Sequence, residues 1–192
     1  MQKTKLITVS ALLTALSFIY TYLMPTIIIP AWSFTPFSHT TLMLGTMLSP
    51  YVGIMTALGT LTGFMLKTPD VLIWMRAASH IIFVLLMIIV FRTRAIDNPR
   101  KFWTLNIVVA LVHAVLEVAA ILVAIPMGLL PQQNQTFYYI FIAAGLGTTA
   151  HSIIDFCAAF LLLSVLRRAH FYFNGYPDGM GMEKLDAIIK RR

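Results

Sequence analysis

The sequence predicts an all-α membrane protein of six transmembrane helices with both termini on the cytosolic side. Composition is the first reason: 59% of residues are hydrophobic and only 11% charged, with a mean hydropathy of +0.84, outside the range of soluble globular domains. Length is the second. At about 20 apolar residues per span, 192 residues leave room for roughly six helices and no separate soluble catalytic domain. The third is where the basic residues fall: Lys3 and Lys5; Arg92, Arg94, Arg100 and Lys101; Arg167 and Arg168; Lys184, Lys190, Arg191 and Arg192. These groups flank apolar runs on one side of the membrane only, the pattern of the positive-inside rule. The net charge of +7 is therefore a topology signal and does not call for nucleic acid.

The first helix is expected over about Leu6 to Met24. Two lysines ahead of an apolar run imitate a secretory signal, but the run is long and no small-residue cleavage site follows, so it reads as a retained helix. Pro25, Pro30 and Pro36 then forbid a regular helix and leave an apolar, uncharged loop from Pro25 to Phe37 that packs on the bundle. A short helix is expected from Ser38 to Leu48 and another from Tyr51 to Leu66, separated at Ser49-Pro50. The second of these carries Gly53, Ala57, Gly59 and Gly63, small residues that let helix backbones come close in lipid.

After a turn at Lys67 to Asp70, a fourth helix runs from Val71 to Phe91 and ends in the basic loop Arg92 to Lys101. A fifth spans Phe102 to Ile125 and leads to the uncharged polar loop Pro126 to Gln135; a sixth runs from Thr136 to Leu166, long enough to tilt. The chain thus divides into a six-helix membrane domain, 1–166, and a basic cytosolic tail, 167–192, compatible with a short amphipathic helix near Met182 to Ile189. The one cysteine, Cys157, lies in an apolar segment and reads as a packing residue.

Three ionisable pairs stand one helical turn apart inside these apolar segments: Arg76 with His80, His113 with Glu117, and His151 with Asp155. Charge at membrane depth is expensive, so such groups ordinarily face a bundle interior or a water-filled cavity and mark a substrate or ion path. Each pair also has a plain reading, a local hydrogen bond that lowers the cost of insertion. That reading is favoured for His151 and Asp155, which fall on the inner half of the sixth helix. In the predicted orientation Arg76, Glu117, Trp74, Tyr139 and the loop residues Trp32 and Phe34 share an outer level, where a pocket open to the outside is expected. For Trp32, Trp74, Tyr138 and Tyr139 an interfacial aromatic belt is the more common role.

The first helix contains Ala11-Leu12-Leu13-Thr14-Ala15 behind basic residues. This resembles the Ala-x-x-x-Ala motif of the substrate-binding subunits (S components) of energy-coupling factor (ECF) transporters. The outline of the chain is similar too: its length, six helices, a long apolar first loop, a very short second helix and a basic tail, so the likeness covers nearly the whole sequence. The resemblance implies a multi-pass protein of the bacterial cytoplasmic membrane that binds a water-soluble vitamin. It implies partners as well, a transmembrane coupling subunit and two ATPases, onto which the first helix docks through Ala11 and Ala15. It further implies a ligand site drawn from Trp32, Phe34, Trp74, Arg76, His80, His113, Glu117 and Tyr139.

The sequence has no Gly-x-x-x-x-Gly-Lys-Ser/Thr loop, so the ATP-driven step would fall to those partners. No resident cofactor, no metal and no enzymatic activity are expected: there is no His-Glu-x-x-His motif and no Gly-x-Ser-x-Gly elbow. For the ligand, an arginine in an apolar, aromatic pocket suits a carboxylate. Pantothenate is favoured over niacin because its hydroxyl and amide groups would use Glu117, His113 and Asn134 or Gln135; a pyridoxine-like or hydroxymethylpyrimidine-type ligand stays open. If Arg76 pairs with Glu117 instead, the carboxylate argument weakens. A metal or proton transporter using His113, Glu117, His151 and Asp155 is the alternative from another class, and the absence of an internal repeat weighs against it.

Overall fold

A computed structural model describes residues 2–29, 32–93 and 98–168. The elements follow the order α1 (Gln2–Leu23), β1 (Ile27–Ile29), β2 (Trp32–Phe34), α2 (Thr40–Leu48), α3 (Pro50–Lys67), α4 (Val71–Thr93), α5 (Pro99–Ala124) and α6 (Gly147–Arg168). A π-helical stretch, Tyr138–Leu146, runs directly into α6. The expected tail, 167–192, including the helix near Met182 to Ile189, lies almost entirely outside the described residues.

Among the described residues, four helical segments are long and apolar enough to cross a membrane: Lys3–Leu23, Val71–Phe91, Pro99–Ala124 and Tyr138–Arg167. The expectation of six spans is therefore met in the number of α-helices but not in their kind. At 1.5 Å per residue the nine residues of α2 reach roughly 14 Å, less than half of a hydrocarbon core about 30 Å thick. Every residue of α2 is buried, so this helix is enclosed by its neighbours rather than by lipid. The 18 residues of α3 interrupt their apolar run with threonines and glycines, and these make its packing face.

That face explains how the bundle closes. A Cβ on Gly59 would stand 2.6 Å from the Thr14 carbonyl oxygen, and one on Gly63 would stand 2.8 Å from that of Phe18, so α1 lies against α3 backbone to backbone. A Cβ on Gly53 would come within 2.9 Å of the Thr46 Cα, which seats α2 on α3 in the same way. Hydroxyls complete the seam: Ser17 Oγ donates to Thr41 Oγ1 at 2.7 Å, and Thr56 and Thr60 return their protons to carbonyls of their own helix. Around this seam α4 packs on α3 and α5, α5 on α6, and α2 also on α6.

The segment after α1, read as an irregular loop, contains a short antiparallel hairpin with Ile27 opposite Phe34, Ile28 opposite Ser33 and Ile29 opposite Trp32. Prolines keep it out of helix and the isoleucines favour extended backbone. The chain then turns through Phe37, at φ 58°, an uncommon conformation for a bulky residue, and enters α2. A main apolar core of Leu42, Met43, Phe83, Phe91, Leu105, Phe156 and Leu163 occupies one part of the bundle. A second, around Leu72, Ile121, Leu130 and Ile140, joins α4, α5 and the π-helical stretch.

Candidate functional site

A cavity of about 370 Å³ opens among the hairpin, the α3–α4 turn and helices α4, α5 and α6, with Phe34, His39, Lys67, Arg76, Glu117 and His151 among its walls. The ionisable residues reach it for simple reasons of helical spacing. Arg76 and His80 are one turn apart on α4, His113 and Glu117 on α5, His151 and Asp155 on α6, and residues four apart share a helix face. Each helix turns its polar face inward, because lipid offers those groups no partner.

Arg76 Nε donates to Glu117 Oε2 at 2.6 Å, joining α4 to α5. This is the cross-helix pairing that weakens a carboxylate argument built on Arg76, but it engages only the side of the guanidinium. The two terminal nitrogens make no hydrogen bond among the described residues, and five-donor arginine can serve a second acid there. On the other oxygen, Glu117 Oε1 stands 3.3 Å from His80 Nε2 and 3.8 Å from His113 Nε2.

A residue the sequence reading passed over ties the rest together. His39, just ahead of α2, lies with its Nε2 3.0 Å from His80 Nε2 and its Nδ1 2.9 Å from His151 Nε2 and 3.2 Å from Asp155 Oδ2. Its backbone N–H also donates to Asp155 Oδ2, at 3.0 Å. The ring of His39 meets those of His80, His113 and His151 edge-on, with centroids 4.5, 4.5 and 4.9 Å apart. The pairs that looked like three separate local contacts therefore form one buried network, and Asp155 holds the α2 entrance against α6.

Of the eight expected ligand residues, Phe34, Arg76, His80 and Glu117 line the cavity. His113 does not line it: fully buried, it bonds Ser152 Oγ through Nδ1 and stacks on Phe83 at 4.7 Å. Trp74 is also elsewhere, because its indole N–H donates to the Thr68 carbonyl at 2.7 Å and fastens the α3–α4 turn. Tyr139 packs with the second core around Leu72 and Ile121. Trp32 pairs through its backbone with Ile29; its side chain lies outside the described residues. Gln135 donates to the Leu130 carbonyl at 2.8 Å, and neither it nor Asn134 reaches the cavity.

Phe64, Lys67 and Thr148 are among the wall residues that had not been expected. Lys67 Nζ donates to the Met24 carbonyl at 2.5 Å and to Thr26 Oγ1 at 2.9 Å, closing the end of α3 onto the segment after α1. His39 escaped because it has no ionisable neighbour one turn away in sequence, so the i, i+4 criterion skips it. Ala11 and Ala15 are exposed on α1, on the side away from Leu13, Ser17 and Thr21, which are buried.

No family profile matches the chain, and no solved structure matches it. It is 29% identical over 170 residues to the niacin transporter NiaX of Lactococcus lactis subsp. cremoris (strain MG1363), an alignment that covers 87% of this chain and 77% of that protein.

Proposed function

We propose that the chain is the substrate-binding membrane subunit of an ATP-driven energy-coupling factor transporter, and that its cargo is niacin. The observation that carries the cargo is the small polar-and-aromatic cavity, about 370 Å³, with the free edge of the Arg76 guanidinium and the ring of Phe34 on its wall. That volume stands near the lower end of ligand pockets, roughly 300–1,000 Å³. It suits a flat aromatic acid, which asks for one cation and a stacking surface. Pantothenate, the ligand first favoured, was matched to Asn134 or Gln135 and to His113, and none of these lines the cavity. The likeness to a niacin transporter points the same way.

Within this reading Arg76 binds the carboxylate, Glu117 holds Arg76 in place, and His80 and Phe34 flank the ring. With both termini cytosolic, as the basic clusters argue, the hairpin and the α3–α4 turn face outward and the cavity takes its cargo from outside. The exposed Ala11 and Ala15 then form the surface on which the coupling subunit seats, with two ATPases supplying the energy. Calorimetric titration of the purified protein in detergent tests the cargo. Stoichiometric binding of niacin, with nicotinamide and pantothenate much weaker, is the expected result; absence of niacin binding, or nicotinamide bound equally well, refutes it.

A further inference from the structure

We propose that His39, His80 and His113 form a binding site for one divalent transition-metal ion of the zinc class, with Glu117 beside it and the open fourth coordination position turned toward the cavity. Four features of the cluster support it. One ring nitrogen from each of the three histidines falls within 4.8 Å of the others. His39 Nε2 and His80 Nε2 are 3.0 Å apart, and Glu117 Oε1 lies 3.3 Å from His80 Nε2 and 3.8 Å from His113 Nε2. With metal–ligand bonds of about 2.0–2.1 Å, neighbouring donors in a tetrahedral shell are separated by roughly 3.3 Å. The three ring nitrogens, 3.0 Å apart at the nearest pair and all within 4.8 Å, bracket that spacing.

The second feature is an unsatisfied atom. His113 Nε2 is buried and makes no hydrogen bond, a costly state for a polar atom that a metal would relieve. Third, the outer partners are those of a ligating histidine: Ser152 Oγ engages His113 Nδ1 and Asp155 Oδ2 stands beside His39 Nδ1. Such partners fix the tautomer that presents Nε2 for ligation. Fourth, three neutral imidazoles are a donor set that zinc, nickel and cobalt accept, and the carboxylate of Glu117 beside them offsets the charge of the ion.

His39, His80 and Glu117 also line the cavity while His113 stands behind them, so a bound ion is closed on the protein side and open toward the cargo. Resting on the niacin reading, the open position would take the pyridine nitrogen, a donor much like imidazole, while Arg76 takes the carboxylate.

The test uses the full chain purified without a polyhistidine tag, stripped with chelator, and titrated with Zn²⁺ or Co²⁺ alone. The expected result is one ion per chain, with the intense visible absorption of tetrahedral Co²⁺, lost in His39→Ala and in His113→Ala. Ser152→Ala, outside the ligand shell, should weaken metal binding by about 10- to 100-fold. Niacin should shift the Co²⁺ spectrum and benzoate, which lacks the ring nitrogen, should not. Absence of a stoichiometric ion from folded parent protein overturns the site, as does equal binding by both histidine variants. Niacin bound tightly by metal-free protein that takes no ion overturns the site and leaves the cargo reading intact. An ion bound by protein that ignores niacin does the reverse.

Discussion

Replacing Arg76 with alanine should weaken niacin binding while leaving nicotinamide nearly untouched. The guanidinium is held by one short bond, Nε to Glu117 at 2.6 Å, and its side chain keeps 15% exposure at the cavity wall. It can therefore give a carboxylate hydrogen bonds from its remaining nitrogens without releasing Glu117. Hydrogen bonds to a charged partner contribute about 1.5–3 kcal/mol, and 1.4 kcal/mol is a factor of ten in affinity. The expected loss is roughly 10- to 150-fold for niacin and close to none for the amide, which carries no charge. The substitution also strips Glu117 of its cation. Because a broken buried pair costs about 3–5 kcal/mol, a lower melting temperature is expected too, softened by His80 and His113 beside the same carboxylate. Arg76→Lys keeps the charge without the fork and should recover part of both losses. The assay is calorimetry on metal-free protein with both ligands. An equal loss for niacin and nicotinamide, or an unchanged affinity for niacin, would refute a direct contact between Arg76 and the acid.

Gly59→Leu should destabilise the fold, since its Cβ alone would stand 2.6 Å from the Thr14 carbonyl oxygen; a cost of about 1–3 kcal/mol or more for overpacking should appear as a lower melting temperature in detergent, and an unchanged one would mean that α1 and α3 are not in backbone contact. Ala15→Trp, on the exposed side of α1, should leave niacin affinity and melting intact and abolish uptake in cells carrying the coupling subunits; normal uptake would remove Ala15 from the docking surface. Asn98→Ala removes the side-chain acceptor that caps α5 at the Lys101 N–H, 2.9 Å away, and should cost about 1 kcal/mol, read as a modest drop in melting temperature with ligand affinity unchanged.

Much of the bundle was legible from local rules. Val71–Thr93 begins where the sequence reading started it, after Pro69; α5, expected from Phe102, instead opens with Pro99 at its first turn behind the cap Asn98, so three residues assigned to the loop belong to the helix. The close-packing role of Gly53, Gly59 and Gly63 was equally readable, because small residues at helical spacing have few other uses in lipid. The hairpin was not. Its pairing joins two three-residue strands across a proline, too short for any period to declare itself. The π-helical turn pattern over Tyr138–Leu146 leaves no mark in hydropathy either.

The candidate site divides the same way. Arg76 with His80, His113 with Glu117 and His151 with Asp155 were found as pairs, since residues one turn apart share a face whatever the rest of the fold does. Trp74 and Tyr139 lie off this cavity, which no spacing showed, because an aromatic ring near a helix end looks the same whether it lines a cavity, bonds a turn or fills a core.

By itself, then, the sequence determined which stretches are apolar enough to enter a membrane, and that charged groups on three helices have to find shelter inside. Those are properties of composition and of contacts one helical turn long. Only the tertiary structure decided that the three shelters are one. His39 comes from outside all three helices, separated from His80 by 41 residues and from His151 by 112, and reaches both because α2 is too short to span and is buried at the centre of the bundle. A contact over that distance depends on how whole helices pack, which no local spacing records.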